Sequence, residues 1–165
     1  VTAQDNCTAS PVVTFVETKT NGACADSYLL TRTWTATDAC GNTATASQVL
    51  TVQDTTKPVL AGVPANITTE CSTVPPVPTS VSATDNCDVD VTITFLEARV
   101  NGSCSGNYTL TRTWTATDNC NNTSTASQVI TLEDRTVPTL ANVPVNLTLS
   151  CGQPVPTAST PTARR

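Results

Sequence analysis

The chain has no histidine and no methionine, and its aromatic residues are limited to two each of tryptophan, tyrosine and phenylalanine. Without histidine, a hydrolytic triad has no ordinary base, and a metal site loses one of its commonest ligands. Aromatic residues at 4% and charged residues at 13% fall below ordinary globular usage, so bulky cores and surface ion pairs are scarce sources of rigidity. No apolar run approaches the roughly 20 residues of a membrane-spanning helix. Residues 1–7 also lack the basic start and apolar block of a signal peptide. Positive charge is sparse too: eight Lys and Arg face 13 Asp and Glu, for a net charge of -5 and a pI near 4.4. That balance repels phosphate and excludes nucleic acid as the expected partner.

What the chain does hold is threonine, proline and cysteine. Some 35 threonines and a dozen serines exceed a quarter of the 165 residues, and 11 prolines outnumber six glycines. β-Branched residues favour extended backbone and disfavour long helices. The eight cysteines expose a repeat: Cys7, Cys24, Cys40 and Cys71 recur at an offset of 80 as Cys87, Cys104, Cys120 and Cys151. The string Leu30-Thr-Arg-Thr-Trp34-Thr-Ala-Thr-Asp38 recurs unchanged from Leu110 to Asp118, and Thr45-Ala-Ser-Gln-Val49 recurs from Thr125 to Val129. A self-similarity of this length means stacked supersecondary units.

Prolines mark the boundaries. Gln53-Asp-Thr-Thr-Lys-Pro58 and Glu133-Asp-Arg-Thr-Val-Pro138 have linker composition. Residues 1–54 therefore read as the later part of one unit, lacking its first strand; 55–134 read as a complete unit, and 135–165 as the opening strand segment of a third. Within the complete unit, strands are expected at 59–63 with 66–70, then 77–83, 91–99, 108–118 and 125–133. In 108–118 Tyr108, Leu110, Arg112, Trp114 and Ala116 alternate with threonines, which sets a core face against a threonine face. The expectation is all-β: tandem immunoglobulin-like sandwiches of about 80 residues.

If the strands run up and down, Cys71 and Cys104 lie at one end of a unit and Cys87 and Cys120 at the other. Bridging needs Cα atoms within about 7 Å, so the expected disulfides are Cys71–Cys104, Cys87–Cys120 and, in the preceding unit, Cys7–Cys40. Cys24 and Cys151 are then left to bridge neighbouring units. Each loop of about 33 residues closed in this way would add about 3 kcal/mol on a chain-entropy model. No Cys-x-x-Cys spacing is present, so zinc is not expected, and the cysteines point to an oxidising extracellular compartment.

The string Trp114-Thr-Ala-Thr-Asp118-Asn-Cys-Asn-Asn122, with Gly41-Asn42 in the other copy, followed by Gln128-Val-Ile-Thr-Leu-Glu-Asp134 and a proline four residues later, resembles the hyalin-like (HYR-like) repeats. More closely it is similar to the cysteine-containing tandem repeats of large surface adhesins of gliding, Bacteroidota-type bacteria, and the extra cysteines depart from the animal hyalin repeats. The resemblance implies immunoglobulin-like modules strung head to tail with identical neighbours on a cell surface or in an extracellular filament.

Candidate sites follow the same reading. No enzyme is expected: the paired carboxylates need a cleft that a small β module lacks. Asp85, Asp88, Asp90 and Asp118 are weak calcium candidates, and Asp54 and Asp134 sit at linkers where some surface modules hold stiffening ions. Asp88 and Asp90 become Thr8 and Ser10 in the other copy, and Asp and Asn also favour turns. Calcium is therefore disfavoured, and neither a metal nor another cofactor is expected. Covalent glycans are. Asn6, Asn66, Asn101, Asn107, Asn121, Asn122 and Asn146 each begin an Asn-x-Ser/Thr triplet, and Thr55 lies in an Asp-Thr-Thr string resembling the Bacteroidota O-glycan motif. Trp34 and Trp114 are read as core rather than as a ligand platform. Isopeptide bonds are not expected, since Lys19 and Lys57 become Arg99 and Val137. The functional expectation is a structural repeat of an extracellular filament or adhesin stalk; the alternative is an adhesive module binding surface glycans through its end loops.

Overall fold

A computed structural model describes residues 1–164, so the expected segment 135–165 has its last residue, Arg165, outside the described residues. The regular structure described is entirely β: β1 (Val12–Asn21), β2 (Tyr28–Thr37), β3 (Thr43–Val52), β4 (Val59–Ala61), β5 (Ile67–Glu70), β6 (Ser82–Thr84), β7 (Thr92–Asn101), β8 (Tyr108–Thr117), β9 (Thr123–Glu133), β10 (Thr139–Ala141) and β11 (Thr162–Arg164). Two meanders carry most of it. One is a three-stranded sheet in the order β1-β2-β3, and the other a four-stranded sheet in the order β5-β9-β8-β7. Small antiparallel pairs, β4 with β6 and β10 with β11, complete the set.

The registers of the two meanders coincide at the offset of 80. Phe15 stands opposite Trp34, and Phe95 opposite Trp114, each pair with ring centroids 5.3 Å apart. Such cross-strand aromatic pairs pin a register. Lys19 sits over the Tyr28 ring and Arg99 over the Tyr108 ring. The β2–β3 and β8–β9 turns also match, with Gly41 and Asn121 in the same left-handed position at φ 85° and 66°. Glycine adopts that conformation freely, and asparagine is among the few other residues that tolerate it.

Burial separates the two copies. In β8 and β9, Leu110, Trp114, Ala116, Ile130 and Leu132 are buried, and Tyr108 packs against the cluster of Leu110, Ile130 and Leu132. Their counterparts Leu30, Trp34, Ala36, Leu50 and Val52 are only half-buried. The difference comes from the segment between β3 and β7. Pro58 is fully buried and its carbonyl accepts from the Ser124 hydroxyl; β5 pairs parallel to β9, with Ile67 opposite Ile130. Gln128 donates to the Ala65 carbonyl (3.0 Å), and the Val129 amide donates to Asn66 Oδ1 (2.7 Å). Burying a leucine or isoleucine side chain is worth about 1.5–3 kcal/mol, so this covering gives the second sheet a core that the first lacks.

One strand is shorter than expected. The sequence suggests 77–83, but only Ser82–Thr84 is strand. Prolines 75, 76 and 78 lack N–H groups for a ladder, and the carbonyls of Pro75 and Pro76 instead accept from the Arg112 guanidinium at 2.8 and 3.1 Å.

Candidate functional site

Four of the cysteines follow an aspartate by two residues, and in each case the carboxylate folds back on the turn. Asp5, Asp38, Asp85 and Asp118 accept the backbone N–H groups of Cys7, Cys40, Cys87 and Cys120 at 2.8–2.9 Å. Asn42 and Asn122 close the β2–β3 and β8–β9 turns by donating their side-chain amides to Asp38 and Asp118. These bonds favour the charged carboxylate. The Asp5 carboxyl is lowered by the Cys7 and Thr8 amides, and that of Asp38 by the Asn42 side chain and amide. At Asp118 desolvation works upward, but the Asn122 side chain with the Asn122 and Cys120 amides outweighs it, and the net direction is down.

Two of these turns, at Asp85 and Asp118, lie where one sheet abuts the other. β1 and β2 are joined by the loop 22–27, whose Gly22 amide donates to the Ser27 carbonyl at 2.7 Å. This loop faces the β8–β9 turn: Asn119 donates its side-chain amide to Asp26 (2.8 Å), and Ser27 Oγ lies 2.9 Å from Cys24 Sγ and 3.8 Å from Cys120 Sγ. Cys24 and Cys120 form a disulfide, with Cα atoms 5.1 Å apart. The linker joins the same cluster, since Asn122 donates to the Asp54 carbonyl. So does the loop before β7, where Asp88 accepts from the Asn119 amide at 2.9 Å.

This pairing corrects the sequence reading. Cys120 is bonded to Cys24 rather than to Cys87; Cys24 does link one unit to its neighbour, but its partner is Cys120 and not a counterpart of Cys151. Strand direction assigns each cysteine to an end of a unit, but every inner end has two candidates: one in its own unit and one across the junction. Cys7, Cys40, Cys71, Cys87, Cys104 and Cys151 are unbridged in this structure, so the expected Cys7–Cys40 and Cys71–Cys104 bonds are not formed. Cys71 does lie at the Cys104 end of its sheet: its sulfur and the Asp134 carboxylate are within 4.8 Å, and the Asp134 amide donates to Asn107 Oδ1.

Between 55 and 134 there are thus four cysteines, all on loops or turns at the ends of one β-sheet. Residues 59–132 match the family model of the HYR-like domain with 4 cysteines. No curated protein matches the chain. The HYR-like match suggests an extracellular module of the adhesion type. Among the described residues no helix is long and apolar enough to cross a membrane.

The remaining candidates divide by what their side chains already do. Asn6, Asn101, Asn121, Asn146 and Thr55 are exposed. Asn66 is exposed with its oxygen engaged by Val129, Asn107 is half-buried with its oxygen engaged by Asp134, and the Asn122 amide nitrogen is committed to Asp118 and Asp54. Asp90 is exposed, and Asp88 is buried with both oxygens bonded. Asp54 and Asp85 differ. Each keeps one carboxylate oxygen, Oδ2, buried and without a hydrogen-bond partner, and a carboxylate oxygen of each lies with Cys87 Sγ in a group whose atoms are within 4.8 Å of one another. The Cys87 thiol is pushed up by desolvation, then by the carboxylates of Asp54, Asp26, Asp85 and Asp118. Sequence reasoning named Asp85 and Asp54 separately and missed their meeting; the available signal was that both recur at the offset of 80, as Asp5 and Asp134.

Proposed function

We propose that the chain is a segment of an extracellular filament or cell-surface adhesin stalk, in which HYR-like units are joined end to end and locked to one another by disulfides. The observation that carries this reading is the Cys24–Cys120 bond, which ties a hairpin loop of one sheet to the facing turn of the next across a linker whose Asp54 and Pro58 are buried. Covalent closure of a junction resists bending and pulling. A module that only displayed binding loops would have no need of it.

A second feature supports repetition. Among the described residues β3 has no parallel neighbour corresponding to β5, and residues 147–150, at the offset of β5, form no strand and are exposed. The one lacks what the other would supply. In an array, the segment after one unit's last strand covers the following sheet, as 55–84 covers β7–β9, and repetition builds length. The test is electron microscopy of chains with two, four and eight repeats. Rods whose contour length grows in proportion to repeat number are expected; compact particles in which units fold back on one another would overturn the reading.

A further inference from the structure

The junction holds two acidic side chains whose surroundings do not neutralise them. Asp54, 7% exposed, uses Oδ1 to accept the Thr56 amide at 3.0 Å. Asp85 uses Oδ1 for the Cys87 and Asp88 amides at 2.9 and 3.2 Å. The Oδ2 atoms of both are shielded from solvent and have no donor, and one carboxylate oxygen of each residue lies within 4.8 Å of the other and of Cys87 Sγ. Among the described residues the ion pairs use Glu17, Glu97 and Glu133, none of them at this point, and Lys57, three residues beyond Asp54, is exposed. Burial without a hydrogen bond penalises a carboxylate, and two like charges this close penalise each other. A bound cation removes both penalties at once.

We propose that Asp54 and Asp85 hold a divalent, oxygen-preferring cation of the Ca²⁺ class at the junction, tying the linker to the loop before β7 beside the Cys24–Cys120 bridge. Hard cations take carboxylate oxygens and complete their shells with carbonyls and water. The neighbouring Cys87 sulfur is a soft donor and a poor ligand for such a hard ion. The sequence disfavoured calcium because Asp88 and Asp90 do not recur, but the two residues that the fold joins do recur, as Asp134 and Asp5. At the third occurrence of the Asp85 position stands Arg165, which carries positive charge itself.

The test is thermal unfolding of the full chain, unreduced, in EDTA and in millimolar calcium chloride, with calorimetric titration of the same ion. Ligand binding to the native state raises Tm, and a rise of about 4 °C or more is expected for a chain of this size. Asp54→Asn and Asp85→Asn should each abolish the calcium-dependent shift, while Asp90→Asn keeps it; a far-UV circular dichroism spectrum matching that of the unsubstituted chain confirms that the variants have folded. Equal Tm in EDTA and calcium with no heat of titration would overturn the proposal. So would a shift that survives Asp54→Asn, or a response to zinc alone that disappears in Cys87→Ser.

Discussion

At the scale of single residues, Arg112 and Arg32 occupy the same position in two copies of one sentence of sequence, and their surroundings set them apart. Both guanidinium groups donate Nε to a glutamate at 2.7 Å, Glu97 and Glu17 respectively. The Arg112 side chain is 4% exposed and holds two further carbonyls, whereas that of Arg32 is 35% exposed. Removing one partner of a buried ion pair strands the others, so Arg112→Ala should destabilise by about 3 kcal/mol. Arg32→Ala should cost less than about 1 kcal/mol, as exposed pairs do. Urea unfolding of the two variants measures the contrast, and equal losses would mean that the proline segment contributes nothing to holding Arg112. The alternation in 108–118 made the inward direction of Arg112 legible. Its carbonyl partners were not, because spacing does not reveal where a proline-rich stretch crosses a sheet.

At the scale of elements, β9 and β3 differ at one edge. Val129 stands opposite Thr111 and sends its amide outward to Asn66. Val49, opposite Thr31 in the same register, sends its amide outward to an edge that, among the described residues, has no counterpart of β5. Edge amides open to water exchange faster than amides in a paired or capped edge. Hydrogen exchange should therefore show Val49 losing its deuteron at least about tenfold faster than Val129, and Asn66→Ala should bring Val129 toward Val49. Equal protection in the isolated chain would show that the first sheet is already covered. The strands themselves were legible, since threonine alternation and aromatic pairs specify both register and face. The parallel placement of the four-residue β5 was less so, because so short a run takes its strand character from the neighbour it meets.

At the scale of the whole molecule, the cysteines carry the argument that local patterns could not complete. Counting strand directions puts Cys87 and Cys120 at one end of a sheet, and the structure bonds Cys120 to Cys24 of the preceding sheet instead. In the proposed array, the same pairing at the offset of 80 would give Cys104 a partner equivalent to Cys120 in a following unit, and Cys40 a partner equivalent to Cys24 in a preceding one. The bond spans 96 positions, and closing a loop near 100 residues is worth about 4.7 kcal/mol on a chain-entropy model. Cys24→Ser should therefore lower stability by roughly 4 kcal/mol while leaving the β7–β9 sheet, with its own buried core, intact. Peptide mapping without reduction decides the connectivity. A peptide containing Cys24 linked to one containing Cys120 is expected, and a Cys87–Cys120 peptide in its place would close each unit on itself and leave its junctions free to bend.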